Sequence, residues 1–190
     1  KLVFASTSAV YGMPIYQPVD ENHPVNPISP YGLSKLAFEQ HARYKSGSEM
    51  ELIVFRLPNV YGPRQRSDLE GGVIAIFQDL MIRNKDVIFY GDGDQTRDWV
   101  HVKDIIEAFN IVLEKSLSKF EIFTLGSGVQ NTLWDLFHYM ASTMNYKKSP
   151  LIHKERKGDI RHMCMSREKV KKLLRWEPTI KLADGIKMLV

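Results

Sequence analysis

The sequence has a single cysteine, Cys164, and therefore cannot form a disulfide within one chain. It also lacks a cluster of cysteines and histidines at zinc-binding spacing, so we expect no bound metal. No apolar run approaches the ~20 residues that cross a bilayer, and the first residues do not have the pattern of a secretory signal. These absences favour a soluble protein of a reducing compartment, the cytoplasm, with no membrane partner.

The composition is that of a globular domain. The 190 residues are 44% hydrophobic and 25% charged, and the 26 Lys and Arg against 22 Asp and Glu give a net charge of +4. Several basic residues gather in segment 167–175. A nucleic-acid surface is one interpretation. The other is the solvated face of a helix, which apolar residues at helical spacing within the same segment favour, and we expect no nucleic-acid partner.

The order of elements predicts an α/β protein. Residues 2–8 and Leu52–Leu57 are short apolar runs typical of buried strands. Between them a proline-rich loop leads to a helix that begins near Ser29-Pro30 and fades at residues 46–48. A strand, a helix and a strand in that order imply a right-handed parallel crossover.

The rest of the chain continues this alternation. We expect a smaller lobe of short strands and helices over the C-terminal edge of the sheet. Asp104 stands where the N-cap of a helix would be, and Pro178 follows the helix predicted to be the last one. The predicted helices are 73–83, 105–115, 132–144 and 167–174, and the predicted strands are 87–90, 99–102 and 120–125.

Tyr31 and Lys35 are four residues apart on the first predicted helix, which places both side chains on one face. A free tyrosine loses its proton only near pH ~10, so a tyrosine that acts as a base at neutral pH needs stabilisation of its anion. A lysine one turn away supplies a positive charge. An ordinary exposed pair is the alternative interpretation, because both residues are common on helices.

The surrounding motifs distinguish the two interpretations. A strand ending in Ser6-Thr7-Ser8 is followed by the VYG turn at 10–12, the proline-rich loop and SPYGLSK at 29–35. This combination resembles the extended short-chain dehydrogenase/reductase family, which includes UDP-galactose 4-epimerase and nucleotide-sugar dehydratases. The resemblance implies the C-terminal part of a Rossmann-like, doubly wound parallel sheet with a small α/β substrate-binding lobe.

The resemblance also implies roles for residues near the strand end. Tyr31 matches the catalytic base, Lys35 its modulator and a ribose ligand, and Thr7 the hydroxyl that binds the reacting sugar. A hydroxyl at the C-terminal end of a parallel strand faces the crevice where ligands bind. A cap of the local backbone is the alternative role for Ser6-Thr7-Ser8. Cofactor contacts are implied for Ser6, Tyr31, Lys35 and Pro58.

Further motifs match the substrate-binding residues of the family. These motifs are RLPNVYGPR at 56–64, GDGDQTRDWVHVKD at 91–104 and RKGD at 156–159. A guanidinium suits a diphosphate because it binds two oxygens at once. Met163 falls where the bulk beside the hexose varies, and we expect a preference for unacetylated hexoses. The implied nucleotide-sugar ligands are Thr7, Ser8, Asn59, Tyr90 (stacked on the base), Arg97, Arg156, Asp159 and Met163.

The glycine-rich turn that holds a dinucleotide in this family does not occur in the sequence. We therefore expect the chain to be a piece of a longer enzyme and to bind NAD weakly by itself. Residues 1–66 and part of 87–130 are assigned to the C-terminal half of the Rossmann-like domain. Residues 67–86 and 131–190 are assigned to the nucleotide-sugar lobe.

The resemblance implies NAD as cofactor, with NADP left open, and a UDP-hexose as substrate. Family dehydratases have an Asp-Glu pair directly after the catalytic Thr, where this sequence has Ser8 and Ala9. A 4-epimerase working through a 4-keto intermediate therefore ranks first. A decarboxylase, a dehydratase, another short-chain dehydrogenase and a non-catalytic nucleotide-sugar-binding protein are the alternatives. A homodimer through helices that include the one carrying Tyr31 is also implied.

Overall fold

A computed structural model describes residues 1–46, 50–68, 72–156 and 158–190. The strands are β1 Leu2–Thr7, β2 Leu52–Leu57, β3 Asn59–Tyr61, β4 Ile88–Tyr90, β5 Thr96–Arg97, β6 Trp99–His101, β7 Phe120–Thr124, β8 Asn131–Thr132 and β9 Leu151–His153. The α-helices are α1 Pro30–Lys45, α2 Val73–Ile82, α3 Val102–Glu114, α4 Leu133–Thr143, α5 Glu168–Leu174 and α6 Leu182–Lys187. A 3₁₀ helix, Ser8–Val10, follows β1.

A three-stranded parallel sheet in the order β1-β2-β7 positions the candidate site. The first four residues of its central strand β2, 52–55, are apolar on both faces because helices cover both. Leu52 and Val54 pack with Ala42 of α1, whereas Ile53 and Phe55 pack with apolar residues of α3 and α5. The predicted parallel α/β arrangement is confirmed, and β1 lies at one edge of the sheet.

A second apolar cluster lies away from this sheet. It joins α2, α4, α6 and β4 through buried side chains such as Phe77, Phe89, Leu136 and Ile186. Helix α5 packs instead against the three-stranded sheet, since Val170 belongs to the cluster that contains β2 and β7. The division into a Rossmann-like part and a nucleotide-sugar lobe stays a prediction.

The loop between β1 and α1 is tied to the C-terminal segment. The Val19 N–H donates to the Cys164 carbonyl at 2.8 Å, and the Ser166 N–H donates to the Val19 carbonyl at 2.7 Å. The Glu21 carboxylate accepts the Thr124 N–H at 2.7 Å. These bonds hold the segment around Met163 beside the end of β1.

The predicted N-cap at Asp104 is wrong. Helix α3 begins at Val102, and the cap is His101, whose Nδ1 accepts the Lys103 N–H at 3.2 Å. The Asp104 carboxylate is buried in the first turn of α3 and accepts the Thr179 N–H at 3.1 Å. A carboxylate that sequence spacing assigns to a cap is therefore used to hold the segment before α6.

The prediction that the helix at 167–174 is the last one is also wrong, because α6 follows it. This short helix contains Gly185, where an added Cβ would lie 2.0 Å from the Tyr61 hydroxyl. Helix α1 begins where it was predicted and extends to Lys45. Its predicted end at residues 46–48 falls partly outside the described residues. In the parts of the chain that the structure describes, no helix is long and apolar enough to cross a membrane.

Candidate active site

The site begins where β1 ends. Ser6 and Thr7 are buried, and the Thr7 hydroxyl oxygen accepts the Ala9 N–H at 3.2 Å, which caps the 3₁₀ helix. Thr7 also lines a cavity of about 310 Å³, which we call the strand-end cavity. The two interpretations of this hydroxyl are thus compatible, because its oxygen caps the backbone while its O–H proton remains available to a ligand.

Helix α1 is brought against this strand end by its first turn. Ser29 accepts the Gly32 N–H at 3.1 Å, and Pro30 occupies the first turn. Gly32 is needed here because a Cβ would lie 2.5 Å from the Ala9 carbonyl oxygen. The close contact places Tyr31 near the 3₁₀ helix, with 47% of its surface exposed.

Lys35 connects this helix to β1. Its Nζ donates to the Ala5 carbonyl at 3.1 Å and lies 5.8 Å from the centre of the Tyr31 ring. The ammonium therefore has a backbone bond that fixes it beside the tyrosine. Its positive charge is in a position to stabilise an anion on the phenolic oxygen.

Behind the site, α1 is held by Glu39 and Arg56, two residues that were not predicted, together with the Ser6 hydroxyl. Ser6 donates through its hydroxyl to Glu39, and Arg56 donates to both Glu39 oxygens. Burial acts to lower the pKa of Arg56, but its bonds to Glu39 and Tyr11 outweigh burial and raise that pKa. Burial raises the pKa of Tyr11, so its hydroxyl stays protonated. The Ser6 hydroxyl is thus used in a buried hydrogen bond to Glu39.

Predicted substrate residues line the strand-end cavity together with Thr7. Met163 is only 3% exposed and packs with Val10 of the 3₁₀ helix and Val19 of the loop that follows, so it forms a fixed wall. The predicted substrate residues that line this cavity are Thr7, Ser8, Asn59, Arg97, Asp159 and Met163, and the predicted cofactor contact Pro58 lines it as well.

A second cavity of about 260 Å³, the aromatic cavity, shares Asn59, Arg97 and Asp159 with the first. It is lined further by Tyr90, Arg156 and apolar side chains of α2 and β6. Burial lowers the pKa of Arg97, an effect that the nearby Asp159 carboxylate partly offsets. A half-buried guanidinium of this kind is well placed to bind an anion.

A third cavity of about 280 Å³, the arginine cavity, adjoins Tyr90 and is lined by Arg156, Asp159 and Arg161. Arg156 stacks on the Tyr90 ring, with 3.9 Å between its Cζ and the ring centre. Gln95 lines both this cavity and the aromatic cavity. Gln95 was not predicted, because no motif spacing distinguishes it within the turn before Arg97.

The structure therefore brings all eight predicted substrate residues into three adjoining cavities. Tyr31, Lys35 and Ser6 do not line them. Tyr31 and Lys35 lie at the start of α1 beside the edge strand β1, and Ser6 faces inward. Asp98, which was also not predicted, anchors the loop at 127–128 and the Met165 N–H with its buried carboxylate. Burial raises the pKa of Asp98.

Comparisons with known proteins agree with this geometry. The family model described as GDP-mannose 4,6 dehydratase matches residues 1–189. A protein of Methanocaldococcus jannaschii that bears the provisional name UDP-glucose 4-epimerase is 41% identical over 100% of this chain and 62% of its own length.

Two solved structures are similar along nearly the whole chain. UDP-glucose 4-epimerase of Thermotoga maritima, solved with UDP-glucose, has a TM-score of 0.92 and 36% identity, covering 98% of this chain and 60% of that one. UDP-glucose 4-epimerase of Thermus thermophilus, solved with NAD, has a TM-score of 0.86 and 32% identity, covering 98% and 61%. The predicted Rossmann-like fold class is confirmed by these similarities, and the chain spans about three fifths of each of these proteins.

Proposed function

The chain belongs to the GDP-mannose 4,6-dehydratase family, and we propose that it carries the catalytic and nucleotide-sugar residues of an NAD-dependent nucleotide-sugar 4-epimerase. The proposed substrate is a UDP-hexose, because the relative and the two structures described above bear the name UDP-glucose 4-epimerase. The activity is proposed for the longer protein that the sequence predicts, called the full-length protein below.

One observation carries this proposal. The strand-end cavity holds the Thr7 hydroxyl together with Asn59, Arg97 and Asp159, and the last three also line the aromatic cavity that contains Tyr90. A nucleotide sugar needs three kinds of group in this spatial order: an aromatic surface for the base, a cation for the diphosphate and a hydroxyl for the sugar. Arg156, Ser8 and Met163 are the further proposed substrate contacts.

Tyr31, Lys35 and Thr7 are the proposed catalytic residues. Tyr31 takes the proton of the sugar 4-hydroxyl as a 4-keto sugar forms, and it returns that proton when the sugar is reduced on its other face. Lys35 stabilises the tyrosinate from its fixed position. Thr7 donates its free O–H proton to the reacting sugar oxygen.

The residues beside β1 fit a cofactor ribose, because Lys35 presents an ammonium and Tyr31 a half-exposed ring with its hydroxyl. Bound NAD would supply the hydride acceptor for the oxidation and the hydride donor for the return. Pro58 is a further proposed cofactor contact. Ser6 is proposed to contribute through its backbone, because its hydroxyl donates to Glu39.

Epimerisation is favoured over dehydration by the side chains that follow Thr7. A 4,6-dehydratase must also remove a proton at C5 and expel the C6 hydroxyl, which requires further acid and base groups. Ala9 has no such group and Ser8 has no carboxylate. Among the described residues lining the strand-end cavity, Asp159 is the one carboxylate, and it extends into both of the other cavities.

The test is turnover of UDP-glucose by the full-length protein in deuterated water, with the product examined by mass spectrometry and NMR. A C4-inverted sugar without solvent deuterium is expected. A 4-keto-6-deoxy sugar with deuterium at C5 would show a dehydratase, and loss of carbon dioxide from a UDP-uronic acid would show a decarboxylase. Tight UDP-glucose binding without turnover would show a non-catalytic binding protein.

A cytoplasmic homodimer is also proposed. Helix α1 exposes Leu33 (59%) and Tyr44 (86%), apolar surface that a second copy would cover. Size-exclusion chromatography with light scattering should give the mass of a dimer for the full-length protein. The Leu33→Glu variant should give the mass of a monomer. Leu113→Glu, at a residue 62% exposed on α3, is the control expected to leave the mass unchanged.

A further inference from the structure

The side-chain amide of Gln95 has a hydrogen-bond partner for its nitrogen but none for its oxygen among the described residues. Its Nε2 donates to the Tyr90 carbonyl oxygen at 3.0 Å. Its Oε1 is buried and has no hydrogen-bond donor among the residues that the structure describes. Buried polar atoms in proteins almost always have a partner. Because Gln95 lines both the aromatic cavity and the arginine cavity, a ligand in these cavities is the natural source of the donor.

The bond to Tyr90 fixes which atom of the amide is left without a partner. Turning the amide over would bring Oε1 against the Tyr90 carbonyl oxygen, and two acceptors would then face each other. The amide NH₂ is therefore held against the backbone. The atom left without a partner is an acceptor, and it recognises a donor but not a second acceptor.

Resting on the proposed nucleotide-sugar function, we propose that Gln95 selects the nucleobase by accepting a hydrogen bond from a ring N–H adjacent to a carbonyl group. Uracil and thymine carry this hydrogen on N3, and guanine carries it on N1. Cytosine and adenine have a lone pair at the corresponding ring nitrogen, which would face Gln95 Oε1 without a proton between them. The Tyr90 ring, on the same backbone segment as the carbonyl that holds Gln95, provides the surface for the base.

The expected discrimination follows from the cost of an unpaired buried acceptor. A site built to accept a hydrogen bond rejects an analogue that lacks the donor, because the acceptor has already lost its water. The affinity for a base without the ring N–H should be lower by roughly 10- to 100-fold. The diphosphate contacts of Arg97 and Arg156 are common to all nucleoside diphosphates. They therefore cancel in the ratio of the affinities for two nucleoside diphosphates that differ in their base.

The experiment is calorimetric titration of the chain with UDP, CDP and 3-methyluridine diphosphate. The last compound keeps the uracil carbonyls and replaces only the N3 hydrogen by a methyl group. UDP should bind roughly 10- to 100-fold more tightly than either analogue. In Gln95→Met, which keeps the length of the side chain without its amide, the ratio of UDP to CDP affinity should fall to about one.

Gln78→Met is the matched control, because Gln78 also donates from Nε2 to a backbone carbonyl, that of Leu189, and lines none of the three cavities. It should keep the wild-type ratio. Equal binding of UDP and CDP by the wild type, or an unchanged ratio in Gln95→Met, would overturn the role of Gln95 and leave the proposed function standing. If no nucleoside diphosphate binds, both the role of Gln95 and the nucleotide-sugar site are wrong.

Discussion

Arg56 and Glu39 form an ion pair inside the chain, with 2.7 Å between Arg56 Nη2 and Glu39 Oε2 and with only 4% and 2% of the side chains exposed. Arg56 also donates to the Tyr11 hydroxyl at 3.2 Å, and Glu39 accepts the Ser6 hydroxyl. Glu39 lies one turn after Lys35 on α1. The pair thus ties the helix that carries the proposed base to the centre of the sheet.

Removing one partner of this pair should be costly for stability. Glu39→Ala leaves the Arg56 guanidinium buried without its carboxylate, and the free energy of unfolding should fall by about 3–5 kcal/mol. Urea denaturation followed by circular dichroism measures the change. Asp79→Ala is the control, because the Asp79–Arg83 pair lies at the surface and should contribute less than about 1 kcal/mol. Similar losses in the two variants would contradict the buried pair's structural role.

Turnover should depend on the Tyr31 hydroxyl. In the full-length protein, Tyr31→Phe removes the proton acceptor, and kcat should fall by roughly 10²- to 10⁴-fold with little change in UDP-glucose affinity. Steady-state kinetics and calorimetry separate the two quantities. Tyr139→Phe alters a tyrosine of α4 that is 38% exposed and lines none of the three cavities, and it should have no effect. An unchanged kcat in Tyr31→Phe would exclude Tyr31 as the base.

The local sequence predicted the elements whose signals are short in range. Ser29-Pro30 at the start of α1 and the apolar run of β2 are examples, since a cap, a proline and a continuous buried strand each act within a few residues. Asp104 was assigned to a cap because spacing does not show that Thr179, far along the chain, supplies its donors. Glu39 was not predicted for the same reason, because its partners Ser6 and Arg56 are distant in sequence. Gln95 bonds to the nearby Tyr90, but no motif spacing distinguishes it.

Several short helices and strands were also not predicted from the sequence. Helix α6 contains a glycine, which lowers helix propensity, and the requirement for Gly185 comes from the Tyr61 hydroxyl rather than from its neighbours in sequence. Strands β5 and β8 have two residues each, too few for a periodic pattern. Tertiary contacts therefore determine the elements that local propensity leaves undecided.

The thiol of Cys164 should be unreactive while the chain is folded. Burial, which leaves 3% of the residue exposed, raises the pKa of Cys164 to about 11, and the Asp98 carboxylate adds to this effect. Because the thiolate is the reacting form, labelling by a thiol reagent at pH 8 should be slow and should accelerate on addition of urea. Rapid labelling at pH 8 without urea would contradict the burial. A Ser118→Cys variant that also has Cys164→Ser provides an exposed thiol as the reference.

The raised pKa of Cys164 also predicts how the free energy of unfolding changes with pH. The unfolded chain loses the thiol proton near the ordinary value of 9.0, while the folded chain retains it until about 11. The contribution of Cys164 to the free energy of unfolding is therefore present below pH 9 and is lost as the pH rises toward 11. Urea denaturation of wild type and Cys164→Ser across this interval should show the wild type losing more stability. Parallel curves would be evidence against the raised pKa.

Arg156 should act on binding and not on the chemical step. Its guanidinium stacks 3.9 Å from the Tyr90 ring centre and lines both cavities that adjoin this ring, whereas Thr7 lies in a different cavity. A contact with the diphosphate is present in the ground state and in the transition state alike, so its loss weakens both equally. In the full-length protein, Arg156→Ala should raise the KM for UDP-glucose by roughly 10- to 100-fold and leave kcat nearly unchanged.

Two further variants test this prediction, one for the role of the planar guanidinium and one for the position of Arg156 in the cavities. Arg156→Lys keeps the positive charge and loses the planar fork, so its KM should lie between those of the wild type and Arg156→Ala. Arg66→Ala removes a guanidinium that pairs with Asp68 at the surface and lines none of the three cavities, and its KM should equal that of the wild type. A fall in kcat at constant KM in Arg156→Ala would instead place this arginine beside the reacting sugar, because only a contact formed in the transition state changes kcat alone.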